Sequence, residues 1–332
     1  MKRKDILITG GAGYIGSHAV VELYNSGYRP IIVDNFSNSS IKNIEGIEQI
    51  IKNKVAFHEF DCTDEDQMNE LFKIESNIEA VIHFAAFKAV EESVREPKKY
   101  FDNNIGSFEV LLKTMKKYKI DNIVFSSSAC VYGSPDIFPV SESAAFKKAE
   151  SPYGETKQLC EKLIDKSDIN SISLRYFNPV GSHDTCLIGD CSADKPNNLV
   201  PIICEVASGK RKTMEIFGND YNTIDGTCVR DYIHVVDLAK AHVAALNHIL
   251  NSKKIKTAYN IGVGKGVSVQ EVVDSFEQIN DIKISYKIGP RRAGDVEEIY
   301  SDNSKINKEL KWFPIMSFGS ALKTAWIWEK NK

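Results

Sequence analysis

An α/β fold built on a doubly wound parallel sheet, with a smaller mixed α/β domain beside it, is what this 332-residue sequence predicts. Three observations carry that expectation. Apolar strand-like runs alternate with amphipathic segments through the first half of the chain. The first run, Ile6-Leu7-Ile8-Thr9, passes directly into Gly10-Gly11-Ala12-Gly13-Tyr14-Ile15-Gly16 and then a helix-forming segment. Beyond Asn178 the rhythm breaks into longer loops and mixed elements.

The glycine spacing marks a Rossmann-type dinucleotide cradle. Gly10 permits a tight turn, Gly13 lets the backbone approach a pyrophosphate, and Gly16 lets the helix pack close to its strand. The helix, over residues 17–25, points unpaired N–H groups and its positive dipole end at the phosphates. A second strand, Pro30-Ile31-Ile32-Val33, ends on Asp34, where a carboxylate suits the adenosine ribose and repels a ribose phosphate. NAD is therefore expected rather than NADP.

Turn formers at 35–40 precede a helix over 42–52. The alternating run 55–61 is a third strand ending on Asp61, which either meets the adenine or caps the helix expected over 64–73. Residues 80–86 are apolar but for His83, as a central strand covered on both faces requires. A long helical stretch over 97–118 leads to a fifth strand at 122–125, running into Ser126-Ser127-Ser128. A helix opening at Ser151-Pro152 and a sixth strand at 171–175 follow. The segment 231–250 reads as a helix and 257–261 as a strand, both returning to the large domain.

Composition excludes several classes. The net charge of −3 is small and its signs are interspersed, so neither nucleic acid nor an anionic membrane is an expected partner. The charged start Met1-Lys2-Arg3-Lys4 resembles the head of a signal peptide, but the apolar run behind it ends at Thr9, which argues against export. No apolar stretch reaches the roughly twenty residues of a spanning helix. Seven cysteines, scattered and never in a C-x-x-C pair, suit free thiols in a reducing cytoplasm. Cys186, Cys191 and His183 make a poor ligand set, and no metal is expected.

Tyr153 and Lys157, four apart on the helix after the serine strand, present a phenol and an ammonium on one face. Such spacing is common on ordinary helix surfaces, but here it follows a dinucleotide cradle and a serine-ended strand. The lysine and a cationic nicotinamide both favour phenolate, which makes Tyr153 a candidate general base; Lys157 can also hold ribose hydroxyls.

Gly10-x-x-Gly13-x-x-Gly16, Ser126-Ser127-Ser128-Ala129-x-Val131-Tyr132-Gly133 and Tyr153-x-x-x-Lys157 together resemble the extended short-chain dehydrogenase/reductase family. Further segments are similar to its NAD-dependent sugar epimerases: Asn103-Asn104, Ser151-Pro152-Tyr153-Gly154, Arg175 to Gly181, Pro196 to Leu199, Ile216 to Tyr221, Val229 to His234, and Arg291-Arg292-x-Gly294-Asp295. The resemblance implies Tyr153 as base, Ser128 as hydroxyl partner and Lys157 as ribose clamp. For NAD it implies the three glycines with Tyr14, Ile15, Asp34, Asn35, Asp61, Cys62, Phe84, Ala85, Lys88, Asn103 and Phe177, beside Ser128, Tyr153 and Lys157. For a UDP-hexose it implies Ser128, Tyr153, Asn178, Asn198, Leu199, Ile216, Phe217, Arg230, Arg292 and Asp295, a set whose arginines, apolar slot and amides suit a nucleoside diphosphate sugar. The implied reaction interconverts UDP-galactose and UDP-glucose through a 4-keto sugar on tightly bound NAD. The implied domains are 1–178 plus about 231–262 for NAD, and about 179–230 plus 263–332 for the nucleotide sugar. A homodimer is implied, pairing the helices near 103–118 and 153–165.

Rival readings lose specific residues or predict different chemistry. A 4,6-dehydratase needs an Asp-Glu pair where this chain has Ala129-Cys130. An NAD-binding sensor would have lost the Tyr-Lys pair or the serine, and both are kept. A sugar dehydrogenase would consume added cofactor. Ile299 falls where family members vary in bulk, which leaves N-acetylated and pentose substrates open. The stretch Asp190 to Lys195 lacks the usual spacing glycine before Pro196.

Overall fold

Five consecutive buried residues, Asp5–Thr9, form β1, and everything else is laid out around it. A computed structural model describes residues 3–192, 196–292 and 295–332. Helix α1 (Tyr14–Asn25) connects β1 to β2 (Arg29–Val33), and α2 (Ile41–Ile51) connects β2 to β3 (Ala56–His58). Then come α3 (Glu65–Ile74), β4 (Ile78–His83), α4 (Val90–Arg95), α5 (Pro97–Tyr100), a π-helical turn at Phe101–Ile105, and α6 (Gly106–Tyr118). Strand β5 (Asn122–Ser128), a 3₁₀ turn at Ala129–Tyr132, α7 (Pro152–Lys166) and β6 (Asn170–Tyr176) complete the first half.

The second half holds β7 (Asn178–Val180), α8 (Leu199–Ala207), β8 (Met214–Phe217), β9 (Val229–His234), α9 (Val235–Leu250) and β10 (Lys256–Ile261). It ends with β11 (Gly266–Ser268), α10 (Val269–Asn280), β12 (Tyr286–Gly289), β13 (Glu298–Ile299), α11 (Ser304–Leu310) and α12 (Phe318–Asn331). No helix among the described residues is long and apolar enough to cross a membrane.

The large sheet is parallel throughout in the order β10-β6-β5-β4-β1-β2-β3. Its central strands are apolar on both faces because helices cover both. Ile6, Ile8 and Ile32 pack with Val20 of α1 and Leu246 of α9, while Leu7, Val81 and Ile123 pack with Phe108 and Leu111 of α6. Strand order reverses between β1 and β4, and a doubly wound sheet opens its ligand crevice at the carboxyl ends of such a pair. A second sheet runs β11-β9-β13 with β7 beside β9, and a two-stranded sheet pairs β12 with β8.

The doubly wound sheet and the smaller mixed sheets match the expected class, with informative local differences. Strand β3 stops at His58, so Asp61 lies in the turn beyond it and Asp64 is the N-cap of α3, accepting from the amides of Asp66 and Gln67. Strand β5 continues through all three serines. The segment read as one helix over 231–250 is a strand to His234 and a helix only from Val235. Tertiary bonds override helical periodicity there: the buried Asp231 carboxylate accepts from the amides of Val263, Gly264 and Ser301 and from the Ser301 hydroxyl. Strand β9 thus belongs to the smaller sheet, whereas α9 packs on the large one.

Candidate active site

The turn after β1 is shaped so that side chains are excluded. Gly10 has φ +68°, and a Cβ there would meet the Ala85 amide nitrogen at 2.7 Å. A Cβ on Gly16 would stand 2.2 Å from the Gly10 carbonyl oxygen, which is the close helix–strand packing expected of it. Gly13 is the N-cap of α1 with no side-chain cap and no acidic residue in the first turn, so the helix N-terminus keeps its amides for an anion. These are the features a pyrophosphate requires, and they fit a dinucleotide.

Asp34, at the end of β2, binds the same loop. One carboxylate oxygen accepts from the Ala12 amide at 3.0 Å; the other accepts from the Phe36 amide and the Ser39 hydroxyl. Burial pushes its carboxyl up, offset in part by those bonds. Asp61 accepts from Asn35 Nδ2 at 2.9 Å and from both the amide and hydroxyl of Thr63 at 2.7 Å. Desolvation raises it, but the hydrogen bonds prevail and hold it below its ordinary value. Asp61 is therefore both a turn acid and a wall of the cleft.

The cleft has a volume of about 1020 Å³. Every residue anticipated for the cofactor lines it except Ser128 and Phe177. Tyr14 contributes its main chain, because its phenol is committed to the Gly181 carbonyl at 2.6 Å. Asn103 sits in the π-helical turn, a local widening that recurs at functional sites. Its neighbour Asn104 anchors that turn to both backbone groups of Phe87 and to Thr156.

Tyr153 and Lys157 line this cleft, and Ser128, which does not, lies against the Tyr153 phenol. Ser151 caps α7 by accepting from the Gly154 amide, and Pro152 occupies the first turn, so Tyr153 and Lys157 project from the start of a rigid helix. Burial pushes the Tyr153 phenol well up, Cys130 adds to that, and the adjacent Ser128 hydroxyl relieves it in part. Lys157 donates to the Ser126 carbonyl at 2.6 Å and lies 5.9 Å from the Tyr153 ring centre. Burial lowers it from 10.5 to about 8, against the opposing pull of Cys160, Glu161 and Cys130. Burial therefore dominates the phenol in the absence of the second cation, the nicotinamide, that the sequence reading invoked beside the lysine.

A buried network sets the register of this trio. Glu161, one turn beyond Lys157, accepts from the Ser127 hydroxyl and pairs with Arg175 of β6 at 2.7 Å. Arg175 also donates to the Tyr132 phenol, which in turn donates to Asn260. Helix α7, β5, β6 and the 3₁₀ turn are thus tied within one hydrogen-bonded chain.

A second cleft, of about 1640 Å³, shares Tyr14, Asn38, Lys88 and Ser192 with the first, so the two form one crevice between the sheets. Of the residues anticipated for the sugar nucleotide, Asn198 and Arg292 line it. Asn198 is the N-cap of α8 and makes no side-chain cap bond. Arg292 pairs with Asp295 at 2.7 Å and lies 5.3 Å from the Phe217 ring centre. Arg230 stands 3.6 Å from the same Asp295. Two arginines sharing one carboxylate leave net positive charge, which suits a diphosphate. Ile216 is 1% exposed and packed in the core of the smaller domain, so it offers main chain only. Asn178, Leu199, Phe217, Arg230 and Asp295 line neither cleft, and neither does Ser128. Ala193 to Lys195 and Gly294, within segments singled out in the sequence, lie outside the described residues.

A family model described as GDP-mannose 4,6 dehydratase matches residues 7–325. The UDP-glucose 4-epimerase of Dictyostelium discoideum is 47% identical, the match covering 98% of this chain and 95% of that protein. The chain belongs to the UDP-glucose 4-epimerase family. Solved members of the UDP-glucose 4-epimerase family superpose closely. The Bifidobacterium longum enzyme in complex with NAD+ and UDP gives a TM-score of 0.94 at 43% identity, covering 99% of each chain. The Stenotrophomonas maltophila enzyme, with bound NAD and formylated UDP-arabinopyranose, gives 0.95 at 40% identity, covering 99% of this chain and 98% of that one.

Within this epimerase family, the broad match to a dehydratase model does not bring dehydratase chemistry. Ala129 and Cys130 follow Ser128 where an acid and a base would be needed. Sequence reasoning missed several cleft residues, among them Ser37, Phe87, Ser107 and Tyr176. Tyr176 lies within the quoted Arg175 to Gly181 segment, at the end of β6, but was given no role; no motif marks the other three, which reach the cleft from loop and helix positions. The seven cysteines are all unbonded, and no group of three potential ligands is placed to hold a metal among the described residues.

Proposed function

We infer that this chain interconverts UDP-galactose and UDP-glucose on tightly bound NAD, serving galactose metabolism and the supply of UDP-galactose. The observation that carries this reading is Tyr153, beside Ser128 and with Lys157 one turn away, lining a glycine-turn cleft that continues into an arginine-bearing one. NAD, when bound, supplies the acceptor and then the donor of hydride at sugar carbon 4, so the reaction passes through a 4-keto sugar with no net oxidation.

The protein's own groups do the rest. Tyr153 takes the proton of the 4-hydroxyl and later returns it, and Ser128 holds the same hydroxyl in line. A cationic nicotinamide beside the buried phenol offsets the cost of phenolate, which Lys157 alone does not. Lys157 and Asp34 hold the ribose hydroxyls at the two ends of the cofactor, and the amides at Gly13 to Gly16 receive the pyrophosphate. Asn35, Asp61 and Cys62 face the adenine end; Phe84, Ala85, Lys88, Asn103 and Phe177 surround the remainder. Asn178, Asn198, Leu199, the Ile216 main chain, Phe217, Arg230, Arg292 and Asp295 hold the UDP moiety while the keto sugar turns over.

The NAD-binding part comprises 1–178 plus about 231–262 in this reading, with the nucleotide-sugar part made by about 179–230 plus 263–332. Strand β9 attaches to the second part and α9 to the first, so the structural switch between them is supported at His234. A cytoplasmic homodimer paired through the helices near 103–118 and 153–165 completes the proposal; a monomeric mass by light scattering at micromolar concentration would count against the dimer.

The test is to give purified protein UDP-galactose without added cofactor, following UDP-glucose and NADH absorbance together. UDP-glucose without net NADH supports the reading. NADH accumulating on addition of NAD, without epimer, would overturn it in favour of a dehydrogenase. UDP-N-acetylgalactosamine in the same assay reads what Ile299 admits.

A further inference from the structure

Six buried side-chain polar atoms lack a hydrogen-bond partner among the described residues, and one of them, Ser107 Oγ, belongs to a residue lining the cofactor cleft. Ser107 is 2% exposed. Buried hydroxyls without partners are rare enough to require a reason. Helical hydroxyls have an easy local remedy, a bond to a carbonyl three or four residues back, and others here use it: Ser93 donates to Val90 and Thr114, on the same helix α6, donates to Val110. For Ser107 the carbonyls three and four back are those of Asn104 and Asn103, and its hydroxyl bonds neither.

The position of Ser107 explains what the hydroxyl is for. It lies four residues after Asn103, one turn along the same helical face, and both line the cleft together with Ser126, Tyr153 and Lys157. Lys157 commits one hydrogen bond to the Ser126 carbonyl, leaving ammonium hydrogens for the same space. The end of a dinucleotide that reaches Tyr153 and Lys157 is the nicotinamide-ribose half, which is rich in oxygen acceptors.

We propose that Ser107 is a further cofactor-binding residue whose hydroxyl donates to an oxygen of the nicotinamide-ribose half of NAD. This rests on the NAD reading above. The hydroxyl makes no bond among the described residues, so its contribution is realised only when the cofactor is seated.

The experiment measures exchange of the bound cofactor for radiolabelled NAD in the purified holoenzyme, with the urea unfolding midpoint recorded alongside. Ser107→Ala is expected to speed exchange about tenfold. Thr114→Ala removes a buried hydroxyl on the same helix that is bonded within the protein; it is expected to lower the urea midpoint and leave exchange unchanged. Exchange from Ser107→Ala at the wild-type rate would overturn the proposal, as would equal acceleration in Thr114→Ala, which would mean a general loosening of the helix. Wild-type protein that carries no NAD would instead sink the cofactor reading itself, so the two failures are distinguishable.

Discussion

The two walls of the crevice are built from different materials. The cofactor wall is largely main chain: a glycine turn with φ +68° at Gly10, an uncapped helix start at Gly13, and a carboxylate, Asp34, that braces the loop. The wall proposed for the sugar nucleotide relies on long side chains: Arg292, from the loop after β12, lines the second cleft and is held by Asp295, which Arg230 of β9, off the cleft lining, also approaches. Main-chain recognition depends on shape, so it should fail all at once when a side chain intrudes. Side-chain recognition depends on charge and reach, so it should fail by degrees. In the proposed reaction Tyr153 belongs to neither regime: its role is to take the proton of the reacting hydroxyl, and its loss should spare binding on both walls.

The largest effect is expected from Tyr153→Phe, with turnover reduced at least about a thousandfold because the general base is gone. Bound NAD, quantified after denaturing release, should remain near one per chain; near-normal turnover would show that another group is the base. Next, Gly16→Ala forces a Cβ to within 2.2 Å of the Gly10 carbonyl, and purified protein should lose NAD and melt earlier. Full NAD retention in that variant would break the distinction between the walls.

Arg292→Met should show the graded behaviour, with KM for UDP-galactose raised roughly tenfold to a hundredfold, about 1.5–3 kcal/mol, and kcat and NAD content little changed. Loss of NAD instead would mean that the arginine supports the fold of both walls.

The smallest effect concerns pH. Lys157 has a folded value near 8 against its ordinary 10.5, so between these values the unfolded chain binds more protons and this residue's contribution to stability rises with pH. The proposed function runs the other way, because the ammonium assigned there to the ribose hydroxyls is lost above about 8. Turnover should therefore decline as pH rises through that point. Glu161→Gln, which removes a negative charge that pulls Lys157 up and pairs with Arg175, should move that decline down by about one pH unit. An unmoved limb would assign the decline to another group.

Much of the cofactor wall was legible in the sequence because its determinants are local. Gly10, Gly13 and Gly16 act within one strand–turn–helix unit, and Asp34 is the next strand's end, so spacing along the chain already encodes spacing in space. Tyr153 and Lys157 were legible for a related reason, lying at the start of the helix that follows a serine-ended strand; position left Ser126, Ser127 and Ser128 equivalent, and only resemblance singled out Ser128. The residues of the sugar wall were named through resemblance alone, since no periodicity relates Asn198, Phe217, Arg230 and Arg292.

The sequence by itself determined the layered α/β class, the glycine turn and the Tyr–Lys helix face, all of which arise from interactions within a few residues or from burial on both faces of a sheet. Only the tertiary structure decided that residues 229–234 form a strand, because the Asp231 carboxylate finds its partners at Val263, Gly264 and Ser301. It alone decided that Arg230 and Arg292 share Asp295, and that Ser107, whose buried hydroxyl has no partner among the described residues, lines the cleft. Bonds between groups dozens of residues apart leave no periodic trace along the chain, and their energy is realised only once the two sheets have closed around the crevice.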